Sequence, residues 1–156
     1  MEPATEQAWS TSLMSHEGNK LRVYDDATGK TIAAGTLVRG NPSIGVGRNL
    51  ADPGITEAES SYLLTNDRTR VKTELDLLCP WWTTMNEARQ LALAELAFNI
   101  GTAKLVAKWP KTMEYLQQGA YTLAGNEVAT NTVWCNEVGP TRSAWIIRLI
   151  ESGMLV

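Results

Sequence analysis

Apolar residues recur in the first segment of the chain at roughly the spacing of a one-sided helix. They are Ala8, Trp9, Leu13 and Met14. We therefore predict a helix over residues 5–17, with Gly18 as its left-handed C-cap. Glu17 then lies in the last helical turn, where unpaired carbonyls form the negative end of the helix dipole. The helix end and partial burial both disfavour the charged form of the carboxylate. We therefore expect Glu17 to hold a proton near neutral pH, as a general acid must.

The following segment, residues 19–50, has the pattern of a small, glycine-rich β lobe. Residues 21–24 have the residue types of a short strand, and turn-forming residues occupy 25–30. A β-like bias resumes over residues 31–37, which predicts a hairpin. A last extended piece is predicted at residues 43–47, where glycines allow a close approach of the backbone.

From Ile55 onward the apolar pattern is helical. A capping box at residues 56–59 begins a long helix that extends to about residue 78. A second capping box is predicted at residues 84–87, ahead of a buried central helix over residues 88–98. Shorter amphipathic helices are predicted over residues 110–118, 120–130 and 140–152.

These patterns predict an α+β protein in which a small β-hairpin lobe is joined by a long helix to a mainly helical lobe. We expect a single domain over residues 1–156, divided into an N-terminal helix and β lobe (about 1–55) and a connecting helix and helical lobe (about 56–156). Of the 156 residues, 44% are hydrophobic and 20% are charged, which is enough apolar material for a real core.

Charge and hydropathy exclude several functional classes. The formal net charge of -3 leaves no basic excess to release counterions from nucleic acid, so no nucleic-acid partner is expected. No run of about 18 apolar residues predicts a transmembrane helix. The first residues, Met1-Glu2-Pro3, lack the basic and apolar regions of a signal peptide, so we expect a cytoplasmic protein without stable membrane insertion.

Zinc chemistry is also disfavoured. Cys79 and Cys135 have no metal-like spacing, and two reduced, partly buried thiols are a better interpretation than a disulfide. The chain has a single histidine and neither a CxxC nor an HExxH motif, so a zinc enzyme is disfavoured.

Two acids nine positions apart, Glu17 and Asp26, are the first candidates for chemistry. A chain reversal between them would bring a helix end and a hairpin strand to one cleft. Glycosidic bond cleavage needs such a pair, with one carboxyl protonated and the other ionised. Asp26 lies in a polar turn and should stay ionised. The alternative is a solvated helix end and an ordinary turn, and spacing alone does not decide between the two.

Ser43 is a hydroxyl on a glycine-rich strand that could hold a water beside these acids, although without further context an ordinary strand serine is the better interpretation. The neighbouring glycines, Gly45 and Gly47, do not form a phosphate loop. A dinucleotide fingerprint needs a third glycine where Leu50 stands, and no Lys-Ser/Thr pair follows.

The helical lobe supplies aromatic, amide and guanidinium groups that suit a saccharide cleft. They are Phe98, Asn99, Trp134 and Arg142. We expect Trp9, Trp109 and Trp145 to be packing residues instead, and the pattern leaves Trp81-Trp82 undecided.

The ordered set of motifs is more specific than any one of them. It comprises Glu17-Gly18, Tyr24, Asp26, Ser43-Ile44-Gly45-Val46-Gly47, Ile55 with its acidic helix start, Phe98-Asn99-Ile100-Gly101, and Trp134 followed by Arg142. In order and rough spacing these motifs resemble the T-even-phage-type lysozymes, phage endolysins of glycoside hydrolase family 24. The resemblance extends from about residue 10 to residue 153 and implies a lysozyme-like fold.

Carried over residue by residue, the resemblance implies that Glu17 is the general acid and Asp26 the second carboxylate. Ser43 occupies the third catalytic position, where the family has a threonine, and would help to hold the attacking water. An inserted loop over about residues 28–42 separates Asp26 from Ser43, so Thr31 is an alternative source of that hydroxyl.

The resemblance also implies that Phe98 and Asn99 line the substrate cleft and that Arg142 lies close to the acid and keeps the cleft positive. Trp134 is predicted to bind substrate in the same cleft. The chain is acidic whereas relatives are commonly basic, and Arg48 stands where a histidine often follows the glycines. Four arginines could still make the cleft positive, namely Arg39, Arg48, Arg142 and Arg148.

The activity implied is that of a monomeric, cofactor-free N-acetylmuramidase. It would hydrolyse the β-1,4 bond between N-acetylmuramic acid and N-acetylglucosamine in bacterial peptidoglycan by an inverting displacement. It would accumulate in the host cytoplasm and reach the cell wall after a holin opens the membrane, causing lysis. Two alternatives are a lytic transglycosylase and a non-catalytic peptidoglycan-binding module.

Overall fold

In the computed structural model, which describes residues 1–155, helices and one small antiparallel sheet make up the chain. The elements are α1 (Pro3–Glu17), β1 (Lys20–Asp25), β2 (Pro42–Gly45), β3 (Arg48–Asn49), α2 (Glu57–Leu78), a 3₁₀ helix (Pro80–Thr84), α3 (Glu87–Ile100), α4 (Thr102–Lys108), α5 (Pro110–Gln117), α6 (Tyr121–Thr130), α7 (Thr132–Val138) and α8 (Pro140–Ser152). The predicted α+β, lysozyme-like class is confirmed. The chain divides into two compact units, the β unit Met1–Ser61 and the helical unit from Tyr62 onward.

Helix α1 ends where the sequence predicts. Glu17 is its last residue, and Gly18 follows with φ 73° and ψ 175°, so the cap has positive φ without the full left-handed conformation. The prediction that Trp9 packs in a core is wrong, because 59% of its side chain is exposed. Leu13 and Met14 are also exposed, and no residue of α1 is buried. The physical reason is that the β unit contains no buried apolar side chain for α1 to pack on.

The sheet has the order β1-β2-β3, and both neighbouring pairs are antiparallel. The predicted strand over residues 31–37 is wrong, although the chain reverses after β1 as predicted: the Asp25 N–H donates to the Lys30 carbonyl and the Ile32 N–H to the Val23 carbonyl, both at 2.9 Å. Thr31 makes only an isolated bridge with Tyr24, and the Thr36 N–H closes a turn on the Ala33 carbonyl. Because that turn interrupts the segment, the main partner of β1 is β2, which follows a long loop.

The start of α2 confirms the capping box predicted at residues 56–59. Thr56 Oγ1 accepts the Glu59 N–H at 3.2 Å, and Glu59 Oε2 accepts the Thr56 N–H at 2.7 Å. Arg48 on β3 donates to Glu59 Oε1 at 2.6 Å and to the Gly54 carbonyl at 3.1 Å. These contacts tie the end of the sheet to the first turn of α2 within the β unit.

The helical unit is built around an apolar core. The predicted central helix over 88–98 is confirmed as α3, which buries Ala88, Ala92, Leu93, Leu96 and Ala97. The capping box predicted at 84–87 is wrong, because the side chain of Asn86 caps α3 by accepting the Arg89 N–H. Two short helices, α4 and α7, were not predicted, since seven residues are too few to show a clear helical period.

The tryptophans of the helical unit behave largely as expected. Trp109 and Trp145 pack against the core as predicted. The sequence left Trp81-Trp82 undecided, and the structure shows that Trp82 is buried while Trp81 is partly buried against the same core. The indole N–H of Trp82 donates to Asp76 at 2.7 Å, which satisfies its buried polar group.

Candidate active site

Asp26 follows the last residue of β1 and has an exposed side chain. Its Oδ1 accepts the Asn41 N–H at 2.6 Å, and its Oδ2 accepts the Asn41 side-chain amide at 3.1 Å. The hydrogen bond from the Asn41 backbone is the main cause of a lowered Asp26 pKa. Asp26 is therefore an ionised carboxylate near neutral pH, fixed in direction by the residue that precedes β2.

The neighbouring Asp25 is the most buried side chain of the β unit, with 1% of its surface exposed. Its carboxylate accepts three backbone N–H groups, from Arg39 at 2.9 Å, Gly40 at 2.9 Å and Ala27 at 3.0 Å. The bond from Arg39 is the main cause of a lowered Asp25 pKa. Sequence reasoning treated Asp25 only as part of a turn, and the one signal for it was the Asp25-Asp26 doublet after a strand.

Ser43 and Thr31, the two candidate hydroxyls, lie on either side of Tyr24. Tyr24 pairs with Ser43 in the sheet and with Thr31 in the isolated bridge. Residues directly opposite each other across antiparallel strands have side chains on the same face of the sheet. Ser43 is 2% exposed whereas Thr31 is exposed. Because Asn41 draws the Asp26 carboxylate toward β2, Ser43 is on the same side of β1 as this carboxylate.

Glu17 has an exposed side chain, so the partial burial expected from the sequence is wrong. Its carboxylate has no hydrogen-bond or ion-pair partner among residues 1–155. β1, from Lys20 to Asp25, separates Glu17 from Asp26 along the chain, and the chain reversal expected between these two residues stays a prediction. The structure thus bonds Asp26 to Asn41 and places Ser43 on β2, the strand that Asn41 precedes, whereas Glu17 precedes the other end of β1.

In the helical unit, Trp134 and Asn99 form a hydrogen-bonded pair. The indole N–H of Trp134 donates to Asn99 Oδ1 at 2.8 Å. Trp134 is buried and meets Trp109 edge to face, with ring centroids 5.4 Å apart. Asn99 and Phe98 are exposed at the end of α3. Trp134 therefore orients the Asn99 amide, and Phe98 and Asn99 are the groups that solvent can reach.

Phe98 and Arg142 line a groove of about 670 Å³ on the helical unit, together with Glu95 and Trp82. Arg142 donates to Glu95 Oε2 at 2.8 Å, and both side chains are partly exposed. Because Glu95 offsets its charge, Arg142 contributes less positive potential than the sequence suggests. Arg48 is likewise paired with Glu59.

The net charge is unevenly divided. Residues 1–61 contain five Lys or Arg against eight Asp or Glu, whereas residues 62–156 contain nine of each. The helical unit is therefore neutral in sequence, and the formal excess of -3 belongs to the β unit. The acidity of the chain is thus a local property and does not describe the groove around Phe98 and Arg142.

Residues 1–155 contain no group of three or more His, Cys, Asp or Glu side chains that could hold a metal ion. Cys79 is buried and Cys135 is partly buried, and both are free thiols. Burial raises the pKa of the Cys79 thiol. Within the same range, no helix has the length and apolar character needed to span a membrane.

Comparison with known proteins gives one family. The family model described as Phage lysozyme matches residues 14–143, which is 130 of the 156 residues. The matched range contains the candidate residues of both units, namely Glu17, Asp26, Ser43, Phe98, Asn99, Trp134 and Arg142. No significant match to a curated protein sequence was found.

Proposed function

Because the chain belongs to the phage lysozyme family, we propose that it is an endolysin that hydrolyses the β-1,4 bond between N-acetylmuramic acid and N-acetylglucosamine in peptidoglycan. Membership of the family supports a lysozyme-type hydrolase that degrades the cell wall. The observation that carries the finer proposal is the Asp26 carboxylate, ionised and held in one direction by Asn41. A fixed, ionised carboxylate is what such hydrolysis requires of its second acid.

Asp26 is proposed to position and activate the attacking water. Asn41 occupies one acceptor position on each carboxylate oxygen, and a carboxylate has about four such positions in all. Each oxygen therefore keeps a lone pair for water. Asp26 is also exposed, so substrate and water can reach it.

Ser43 is proposed to supply the third catalytic hydroxyl, which holds the same water. It is favoured over Thr31 because Asn41 directs the Asp26 carboxylate toward β2, the strand of Ser43. The Ser43 hydroxyl has no hydrogen-bond partner among residues 1–155, so it is free to bind a water.

Glu17 is proposed to be the general acid. It donates its proton to the leaving oxygen as the glycosidic bond breaks, water attacks the anomeric carbon from the opposite face, and Asp26 takes the proton of that water. Inverting enzymes need the two carboxyls about 6.5–9.5 Å apart, against about 5 Å in retaining ones. The inverting course is proposed from the family resemblance, and the configuration of the product tests it.

The exposed pair Phe98 and Asn99 is proposed to bind the sugar chain, with the Phe98 ring against a sugar face and the Asn99 amide on its polar groups. Trp134 acts by orienting Asn99. Arg142 lies in the same groove as Phe98 and is paired with Glu95. It is proposed to contact anionic groups of the substrate while it keeps this ion pair.

Release to the wall through a holin and action as a monomer are proposed from family membership alone. Gel filtration measures the oligomeric state and tests whether the protein is a monomer. Comparing lysis of cells that express the protein with and without a co-expressed holin checks the release.

The test compares the wild type with Glu17→Gln and Asp26→Asn on purified peptidoglycan and on permeabilised bacteria. Each substitution should lower activity by about 10² to 10⁴-fold, the range for loss of an acid or base group. Because Glu17 is exposed and unpaired, Glu17→Gln should remain folded by circular dichroism. Glu6→Gln makes the same change at an exposed site of α1 and should keep wild-type activity.

Mass analysis and the configuration of the products separate the alternatives. A hydrolase releases fragments that end in reducing muramic acid, with inverted configuration at the new anomeric centre. Anhydro ends together with an active Asp26→Asn variant would instead identify a lytic transglycosylase. Binding to peptidoglycan without cleavage would identify a non-catalytic module. If wild type and Glu17→Gln clear peptidoglycan equally well, Glu17 is not the general acid.

A further inference from the structure

The buried Asp25 carboxylate closes a long loop. Its Oδ1 accepts the N–H of Ala27, at the start of the loop, and the N–H of Gly40, at its end. Its Oδ2 accepts the N–H of Arg39. A single side chain thus joins both ends of the segment 28–38, which lies between β1 and β2.

The end of this loop lies directly against the proposed catalytic carboxylate. A Cβ built on Gly40 would overlap Asp26 Oδ1 and would lie 2.8 Å from Ala27 Cβ and Ala27 N. Real Cβ contacts are not that short, so only glycine lets the backbone pass so close to Asp26. The next residue, Asn41, makes both hydrogen bonds to Asp26.

We propose that Asp25 is a positioning residue: it fixes the Arg39–Gly40 end of the loop and thereby places Asn41 where it holds the Asp26 carboxylate for the reaction. The inference rests on the proposed function and deepens it, because it assigns a role to a residue that does not touch substrate. Asp25 acts through Asn41, since its own oxygens are directed at backbone N–H groups. A buried carboxylate at this point therefore has a purpose beyond folding the sheet.

The alternative is that Asp25 only stabilises the β unit, and the two roles differ in their effect on Asp26. The Asn41 N–H and the Asn41 side chain lower the Asp26 pKa most, burial raises it, the Ala27 N–H lowers it, and the charge of Asp25 raises it. Removing the Asp25 charge while Asn41 stays in place lowers the Asp26 pKa. Losing the Asn41 bonds raises it, and these bonds are the larger influence. The direction of the change therefore separates positioning from simple electrostatics.

The first experiment follows the carboxyl carbon of Asp26 by NMR through a pH titration of the wild type, Asp25→Asn and Asp52→Asn. Asparagine keeps one acceptor oxygen, which can still accept the Ala27 and Gly40 N–H groups, but it puts an NH₂ group where Oδ2 accepts the Arg39 N–H, so it holds the Arg39–Gly40 end of the loop less firmly. We expect Asp26 to titrate at higher pH in Asp25→Asn and at the wild-type pH in Asp52→Asn. Asp52 is exposed and gives the same charge change in the same unit. An unchanged or lower titration point for Asp26 in folded Asp25→Asn would overturn the proposal.

The second experiment measures kcat and KM on peptidoglycan fragments over a range of pH. Asp25→Asn should lower kcat by about 10 to 100-fold, the cost of misplacing a catalytic group by about 1 Å, with KM nearly unchanged. The acid limb of its kcat profile should move to higher pH. Loss of activity that only follows the fraction of folded protein, with the acid limb in place, would show a structural role and overturn the proposal.

Asn41→Ala provides an internal check. It removes the side-chain bond to Asp26 and leaves Asp25 untouched, so it should move the Asp26 titration in the same direction. Because Asp25 acts through Asn41, the double variant should lose less activity than the product of the two single losses. Independent, multiplicative losses would contradict the inference.

If Asp25→Asn does not fold, Gly40→Ala tests whether the Arg39–Gly40 end of the loop positions the Asp26 carboxylate. The added Cβ overlaps Asp26 Oδ1 without removing a buried charge, and it should weaken the Asn41 bond and raise the titration point of Asp26. Wild-type titration in folded Gly40→Ala would overturn the proposal. The NMR titration needs no enzymatic activity, so an inert wild type would refute the proposed function and still leave the placement of Asp26 tested.

Discussion

The β unit and the helical unit are each stabilised internally by a different kind of buried group. In residues 1–61 the buried side chains are Asp25 and Ser43, both polar, and no apolar side chain is buried. In the helical unit the buried residues are mainly Leu, Ala, Ile, Met, Val and Trp, packed around α3 and α8. The contrast is between a unit ordered by directed hydrogen bonds and a unit ordered by apolar packing.

The difference matters because the two kinds of order have different uses. Apolar burial is non-directional and supplies most of the free energy of folding. Hydrogen bonds to a buried carboxylate contribute less net free energy, but they fix distances and directions. The unit that supplies Glu17, Asp26 and Ser43 is the one built on directed bonds. The helical unit supplies the stable surface that presents Phe98 and Asn99.

The largest effect on stability is expected from a core substitution. Leu96→Ala removes a fully buried side chain of α3 and leaves a cavity, so it should lower the free energy of unfolding by about 2–5 kcal/mol. Leu21→Ala, at a β1 side chain that is 81% exposed, should change it by less than about 0.5 kcal/mol. Urea unfolding of both variants tests this, and a comparable loss in Leu21→Ala would show that the β unit has an apolar core after all.

The second effect is the loss of the β unit at acid pH. Hydrogen bonds lower the pKa values of Asp25, Asp26 and Glu59 from their ordinary values of 3.8, 3.8 and 4.5, so their contribution to stability is complete above those values. It is lost as the pH falls through the lower folded-state values. NMR signals of residues 20–49 should therefore broaden or shift in acid before those of α3. Simultaneous loss of both units would contradict the distinction drawn between them.

The smallest effect concerns a polar contact at the edge of the apolar core. Trp134→Phe removes the N–H that binds Asn99 while keeping most of the ring, and should cost about 1 kcal/mol. Trp145→Phe is the matched control, because Trp145 packs on the core and its indole N–H has no partner among residues 1–155. Trp134→Phe should also raise KM for peptidoglycan fragments, since Asn99 is no longer oriented. Equal effects of the two substitutions on KM would show that the orientation of Asn99 does not contribute to substrate binding.

Local sequence signals predicted much of the helical framework. The end of α1 at Glu17 and Gly18 and the capping box of Thr56 and Glu59 follow from nearest-neighbour chemistry, which the chain carries wherever it folds. The apolar run of α3 likewise requires burial in any compact state. The family resemblance and the candidate residues were also contained in the sequence, because the order and types of motifs do not depend on a fold.

Only the tertiary structure decided how the β unit is organised. Sequence pattern placed a strand over residues 31–37, but the partner of β1 is β2, because pairing depends on contacts far apart in the chain. Trp9 was predicted to be a core residue, but whether its side chain is buried depends on what packs against α1. Asp25 and Asp26 are adjacent and chemically identical, and only the fold buries the first against the loop and exposes the second to water. Burial and hydrogen-bond partners are properties of the assembled chain, and they give Asp25 a buried role that its place in a turn-forming segment does not predict.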